Sequence, residues 1–393
     1  MAEVKNAPEV RLKGFSGAWV EKYIHEVANR YDNLRIPISA SNRVPGSTPY
    51  YGANGIQGYI DGYTHDGEFI LLAEDGANDL KNYPVIHVNG KVWVNNHAHV
   101  LQGIEGKLNN LFLKSAFSKV NFEPFLVGGG RAKLNAEVMM GISLNIPQST
   151  AEQAQIGTFF KSLDNQITLK QHKLDKLVTL KKAMLEKLFP KEGADEPEIR
   201  FKGFSGAWSE CFFDEQVDLY SGLTYSPSNI VSSDGTLVLR SSNIQNDEIV
   251  FDDNVYVDSN VVNCSNVEQG DIVIVVRNGS RALIGKSGLV KAPMENTVIG
   301  AFMTGIRAKQ FEFIKALLDT NHFKKQVDKN LGATINQITN GAFKSMSFMF
   351  PREDEQKAIG SYFQKLDNLI SLQKNELTKL KQIKSACLEK MFV

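Results

Sequence analysis

Two stretches of the chain carry the same pattern of apolar positions. In the first, Ile156, Phe160, Leu163, Ile167, Leu174, Leu177, Met184 and Leu188 fall at alternating spacings of four and three, with Lys170 and Lys181 in the two remaining seam positions. The second places Ile359, Phe363, Leu366, Ile370, Leu377, Leu380, Cys387 and Met391 on the same grid, interrupted at the same two places by Gln373 and Lys384. A seam every 3.5 residues predicts helices that pack on a partner helix, and polar seam residues cost stability while fixing register. Each seam follows a proline, Pro147 or Pro351, and a polar first turn, as expected of a helix start. Thr150 with Gln153 is placed for a capping box in the first copy only. One such helix would suit an ordinary core. Two with the same interruptions predict an antiparallel pair, each about 55–60 Å long at 1.5 Å per residue.

The regions between the seams alternate turn signals with short apolar or aromatic runs. In the first region these are 50–56, 67–72 and 85–94, with Asn89-Gly90 as a candidate hairpin turn; in the second they are 236–239, 249–251 and 271–276, followed by a helical stretch at about 311–329. Each region closes with a glycine-containing polar turn, at 128–135 and 330–336, before a last strand that ends at Pro147 or Pro351. That parallel predicts one fold with divergent surfaces.

Identity between the halves is confined to the frame. Arg11-Leu12-Lys13-Gly14-Phe15-Ser16-Gly17-Ala18-Trp19 returns 189 residues later as Arg200-Phe201-Lys202-Gly203-Phe204-Ser205-Gly206-Ala207-Trp208, and 152–189 matches 355–392 at 19 of 38 positions. The segments 20–147 and 209–351 show no comparable identity. The expected fold is therefore α+β: two mixed α/β domains in tandem, separated by two long helices that pair as an antiparallel coiled coil, with pseudo-two-fold symmetry. The expected segments are 1–147, 148–190, 191–350 and 351–393, with the charged, proline-containing stretch 189–197 as the clearest boundary.

Charge and cysteine content narrow the class. The chain carries 44 basic and 44 acidic residues, so it lacks the basic excess of a protein that grips nucleic acid unaided. Any role on DNA then calls for a partner that supplies much of the backbone clamp. Three scattered cysteines, Cys211, Cys264 and Cys387, argue against a disulfide framework or a zinc knuckle, and residues 1–6 have no apolar signal core, which places the protein in the cytoplasm. No apolar run is long enough to span a bilayer.

Several motifs are near misses. Gly279 to Ser287 has five residues between its glycines where a phosphate loop needs four; Arg277-Asn278-Gly279-Ser280 reads better as a polar turn, with Arg277 available to guanine or phosphate or simply exposed on a hairpin. His97 and His99 have no third metal ligand nearby in sequence; on one strand they would share a face with Asn95, as donors to base edges or within a satisfied polar network. Lys133 and Asn336, beside the glycine turns, are in reach of a base or phosphate, and a plain turn is the competing reading. No Pro-Pro for an adenine methyltransferase loop, no HExxH and no GxSxG occurs, so no catalysis is expected of the chain itself.

Together these features resemble the specificity subunit of type I restriction-modification enzymes, over essentially the whole chain. The resemblance rests on Lys13-Gly14-Phe15 and Lys202-Gly203-Phe204, on Glu152-Gln153 with Ile156-Gly157 and Glu355-Gln356 with Ile359-Gly360, and on Leu-Asp-Asn at 163–165 and 366–368. Within the regions it rests on 50–56, 74–76 and 93–99, which look like one class of target-recognition domain, and on 270–272 with 277–280, which look like another. It implies that each region reads half of a bipartite site in double-stranded DNA while the helices set the gap. It also implies docking of two modification subunits that bind S-adenosylmethionine, and of restriction subunits that use ATP and Mg, with no cofactor on this chain. The DNA-facing candidates are Tyr50, Tyr51, Asn95, Asn96, His97, His99 and Lys133 in the first region, and Arg240, Arg277, Asn278, Ser280, Lys286 and Asn336 in the second. The rival expectations are a non-enzymatic scaffold that binds proteins or carbohydrates through the two regions, and a self-contained nuclease or methyltransferase with an unfamiliar site.

Overall fold

A computed structural model describes residues 6–128, 132–232, 234–331 and 336–393. The chain forms two compact units, Met1–His172 with Lys374–Val393 and Lys173–Gln373. Each unit therefore holds one variable region with part of both long helices, Thr150–Lys187 and Glu353–Lys390, of 38 residues each. Among the described residues no helix is long and apolar enough to cross a membrane.

In the first unit six strands form one sheet in the order Ala28–Arg30, Ala98–Gly103, His65–Ala73, Val85–Val94, Pro45–Gly52, Gly55–Ile60, antiparallel except between Val85–Val94 and Pro45–Gly52. Asn89-Gly90 makes no turn. It lies inside the strand Val85–Val94, with Gly90 opposite Gly67, and both glycines take positive φ there. Glycine takes positive φ without the penalty a Cβ would bring, so the strands run on in unbroken register. The tight turn lies instead at Ala53-Asn54, inside what the sequence pattern presents as a single run, with Gly55 supplying a positive φ.

The second unit has two four-stranded sheets. One runs Asp218–Ser221, Met303–Arg307, Ile272–Val275, Ser287–Leu289, and the other Ile230–Val231, Val255–Val257, Thr236–Leu239, Thr297–Ile299. The expectation of one fold with divergent surfaces is thus met only in the frame, because the internal strand order differs. The helical stretch is also two helices, Phe311–Asp319 and Asn321–Asn330, divided at Thr320, whose hydroxyl accepts the Phe323 amide and caps the second. The expected glycine turns fall partly on residues 129–131 and 332–335, outside the described residues.

The frame is the same in both units, and its repeated residues are the ones that build it. A two-stranded antiparallel sheet closes each region: Val20–Tyr23 with Ser143–Ile146, and Ser209–Phe212 with Ser347–Phe350. Arg11 makes a two-pronged pair with Glu152 at 2.7 and 2.8 Å, and Arg200 does the same with Glu355 at 2.7 Å for both prongs; each arginine also donates to the carbonyl of Gly17 or Gly206. Both carboxylates are buried, so the pairing offsets their desolvation. Gln153 donates to the carbonyls of Pro147 and Lys107 and accepts the Asn109 amide, which ties the helix start to the region before it. That use removes Gln153 from the expected capping box; the Ser149 hydroxyl accepts the Glu152 amide instead. Gly157 lets its helix press on Leu111-Phe112, where a Cβ would come within 2.6 Å of backbone nitrogen, and Gly360 does the same against Phe313.

Within each unit the helix segments run antiparallel. In the first, Lys384 meets Asp164 at 2.6 Å and Lys170 meets Glu376 at 2.6 Å, while Lys114 also binds Asp164. In the second, Lys181 lies 2.7 Å from both Asp367 and Asp319. The equivalent seam lysines Lys181 and Lys384 therefore pair with the aspartates of the repeated Leu-Asp-Asn, while Lys170 pairs with Glu376. Trp19 packs on Phe112 and on Phe392 from the end of the second helix, and Trp208 packs on Phe313 and on Phe189 from the end of the first.

Candidate nucleic-acid interface

In the first unit the candidates divide into a foundation and a surface. Tyr50 is 1% exposed on the strand Pro45–Gly52; its hydroxyl donates to the Ile38 carbonyl and the Arg43 guanidinium lies 4.0 Å over its ring. Tyr51, one residue on, turns to the opposite face and packs on the Phe69–Leu71–Val94 cluster, where burial raises its phenol pKa. Asn95 is buried, and its side-chain oxygen accepts the His97 amide. Asn96 is exposed, and His97 is half-buried with Nδ1 2.5 Å from Asp75. Tyr50, Asn95, Asn96 and His97 line one open depression together with Arg43 and Gln57.

His99 does not join them. The chain turns at 96–97 before the strand Ala98–Gly103, so His97 reaches the surface while His99 is fully buried, correcting the expectation of a shared face. Its Nδ1 lies 2.7 Å from Asp32 and its Nε2 2.8 Å from the Leu134 carbonyl, so both ring nitrogens are engaged. Glu74 sits beside this pair, held by Arg35 at 2.6 Å and by Lys133 at 2.9 Å, and its carbonyl accepts the Leu134 amide. Burial would raise the Asp32 and Glu74 carboxyls, but hydrogen bonds from His99 in one case and from Arg35 and Lys133 in the other outweigh it, and both stay below the ordinary carboxylate range. Asp32, Glu74 and His99 stand close enough to surround a cation, yet as arranged their donor atoms are committed to protein groups. The network anchors the strand Lys133–Leu134 and engages the Lys133 ammonium.

In the second unit Arg277, Asn278, Ser280 and Asn336 come together. Asn278 accepts the Ser280 amide and donates to Ser241, while Asn336 donates to the Gly279 carbonyl, so the turn is held from both sides. Arg277 is exposed, with its guanidinium 4.9 Å over the ring of Phe302. Arg240 is spent locally, since its Nη2 binds Asp253 at 2.7 Å. Lys286 is set apart from the turn, in a cleft lined also by Lys182, Arg281 and Lys324.

The family model described as the type I restriction modification DNA specificity domain matches the chain twice, over residues 17–179 and 217–382. The chain belongs to this family. Among relatives named as type I restriction enzyme specificity subunits, S.HindORF215P of Haemophilus influenzae is 50% identical over 139 residues, 35% of each chain. StySPI of Salmonella potsdam is 29% identical over 184 residues, covering 45% of this chain and 39% of that one, and EcoKI of Escherichia coli is 30% identical over 173, covering 42% and 36%. The matches thus span little more than a third of these relatives' length. A crystal structure of the type I restriction-modification S subunit from M. genitalium shares the fold, with a TM-score of 0.74 at 14% identity over 98% of this chain and 99% of that one.

Two residues lining the depression, Arg43 and Gln57, were not singled out by reasoning from sequence. Arg43 lies in the irregular stretch before the strand Pro45–Gly52, where no periodicity marks it, and only the fold brings it over Tyr50. Gln57 faces the depression from the next strand, Gly55–Ile60, packed over Gly52. A polar residue on a hairpin strand is too common to stand out.

Proposed function

We propose that this chain is the DNA-sequence-specificity subunit of a type I restriction-modification complex. Each variable region reads one half of a bipartite duplex target, and the paired helices set the spacer and dock two modification subunits. Those partners bind S-adenosylmethionine and methylate adenine, and restriction subunits with ATP and Mg join for cleavage; this chain contributes no catalytic group and works in the cytoplasm. The observation that carries the reading is one frame, built from the same residues in both units, that presents regions of different sheet topology and dissimilar polar surfaces. A split target needs two different readers held alike. The neutral net charge fits a subunit whose partners complete the clamp on phosphate. Because adenine N6 is reached by extruding the base, this subunit would hold the duplex while a partner does the chemistry.

The test is genome-wide mapping of N6-methyladenine in the host with and without the gene. Loss of one split motif on both strands is expected. Unchanged methylation, together with the absence of a methyltransferase on affinity capture, would point instead to a scaffold for protein or carbohydrate.

A further inference from the structure

Of the ten arginines among the described residues, eight have a carboxylate within 4.0 Å of the guanidinium. The two exceptions fall one in each unit, and both lie over an aromatic ring: Arg43 on Tyr50 at 4.0 Å and Arg277 on Phe302 at 4.9 Å. Stacking fixes the plane of a guanidinium while leaving its edge donors unused. A salt bridge would spend those same donors.

The Tyr50 ring is held directly, whereas Phe302 is 51% exposed and tied through its backbone. Tyr50 is buried and its hydroxyl bonds to the Ile38 carbonyl, which also receives the Arg43 Nε at 3.4 Å; Trp93 pins the adjoining Ile36 carbonyl at 2.8 Å. Around Arg277 the backbone does this work, with amides 276 and 277 both donating to the Phe302 carbonyl and Arg277 bridging to Gln337. Beside Arg43, the amide side chains of Gln57 and Asn96 face the same depression and have no partner among the described residues.

We infer that Arg43 and Arg277 are counterpart specificity residues, each reading one guanine in its own half-site through O6 and N7. A planar guanidinium with its two terminal Nη groups uncommitted among the described residues matches the paired acceptors of guanine in the major groove, and the neighbouring amides suit an adjacent base. Arg43 precedes the strand Pro45–Gly52 and Arg277 follows the strand Ile272–Val275, in sheets of different strand order, so the shared feature is the chemistry rather than the repeat. The inference rests on the subunit reading above.

The experiment maps N6-methyladenine in a host that carries the full complex with wild-type chain, Arg43→Ala, Arg43→Lys, Arg277→Ala or, as a control, Arg352→Ala. Arg43→Ala is expected to relax one G·C pair in one half-site, with preference for that pair falling roughly 5- to 150-fold, and Arg277→Ala one pair in the other half. Arg43→Lys, which keeps charge but lacks the fork, should relax the same pair, and it answers the question if the alanine chain fails to accumulate. Arg352→Ala should leave the motif unchanged. An unchanged motif in the Arg43 variants, relaxation of the same half by both arginines, or equal loss at all sites as a phosphate contact would give, overturns the inference. If the wild-type chain directs no split motif, it is the subunit reading that fails.

Discussion

Single side chains carry the frame through buried charge. Removing Arg11 would leave Glu152, 1% exposed, without its partner, and breaking a buried pair from one side costs about 3–5 kcal/mol. Arg11→Ala is therefore expected to destabilise the first unit by that order, and Arg200→Ala the second, in thermal or denaturant unfolding; a loss under about 1 kcal/mol would show that the pair is dispensable. Asp32 gives a pH prediction. Its carboxyl lies lower in the folded protein than in the unfolded chain, so its contribution is fully present above the ordinary value, about 4, and is lost as pH falls through the lower folded value. Asp32→Asn should accordingly cost stability at pH 7, and the difference from wild type should shrink below pH 4. A gap that stays constant down to pH 2 would contradict this.

At the scale of elements, the repeated glycines invert a general rule. Alanine inside a helix is normally favoured over glycine by about 1 kcal/mol. Gly157 and Gly360 lie where a Cβ would meet backbone at 2.6 Å, so Gly157→Ala and Gly360→Ala should destabilise their units. A rise in unfolding midpoint for either would show that the helices have room to separate. The seam lysines make a second prediction. Lys384 pairs with Asp164 in one unit and Lys181 with Asp367 in the other, so Asp164→Lys and Lys384→Asp should each destabilise the protein alone. Combined, they should recover part of the loss in a double-mutant cycle; simple additivity would mean the pair is not coupled. Burial and a second aspartate hold the Asp367 carboxyl above its usual range, while Asp319 stays low between Lys315 and Lys181, so two carboxylates share the charge of the Lys181 site unequally.

For the whole molecule, the proposed role of the helices as a spacer has a length test. Inserting one heptad into a single helix would shift Lys181 or Lys384 off its aspartate, whereas matched heptads in both keep the pairing in register. The matched variant is expected to lengthen the unspecified spacer by up to about three base pairs, since seven residues rise about 10.5 Å and a base pair about 3.4 Å. Both half-site sequences should stay the same in methylation maps, and a changed half-site would sink the spacer role.

What sequence alone determined is the part with a period or a copy. The two helices, their polar interruptions and the duplicated frame were all legible, because apolar spacing and repetition survive without coordinates. Arg11 and Glu152 were visible as repeated residues, but not as partners 141 positions apart. Tertiary structure alone decided the strand order of each region, the turn at Ala53-Asn54 rather than Asn89-Gly90, and the fates of His97 and His99. It also decided which arginines lie over a ring and not beside a carboxylate. Those outcomes depend on which distant carboxylate or ring a side chain meets, and pairings between residues far apart in the chain leave no local pattern to read.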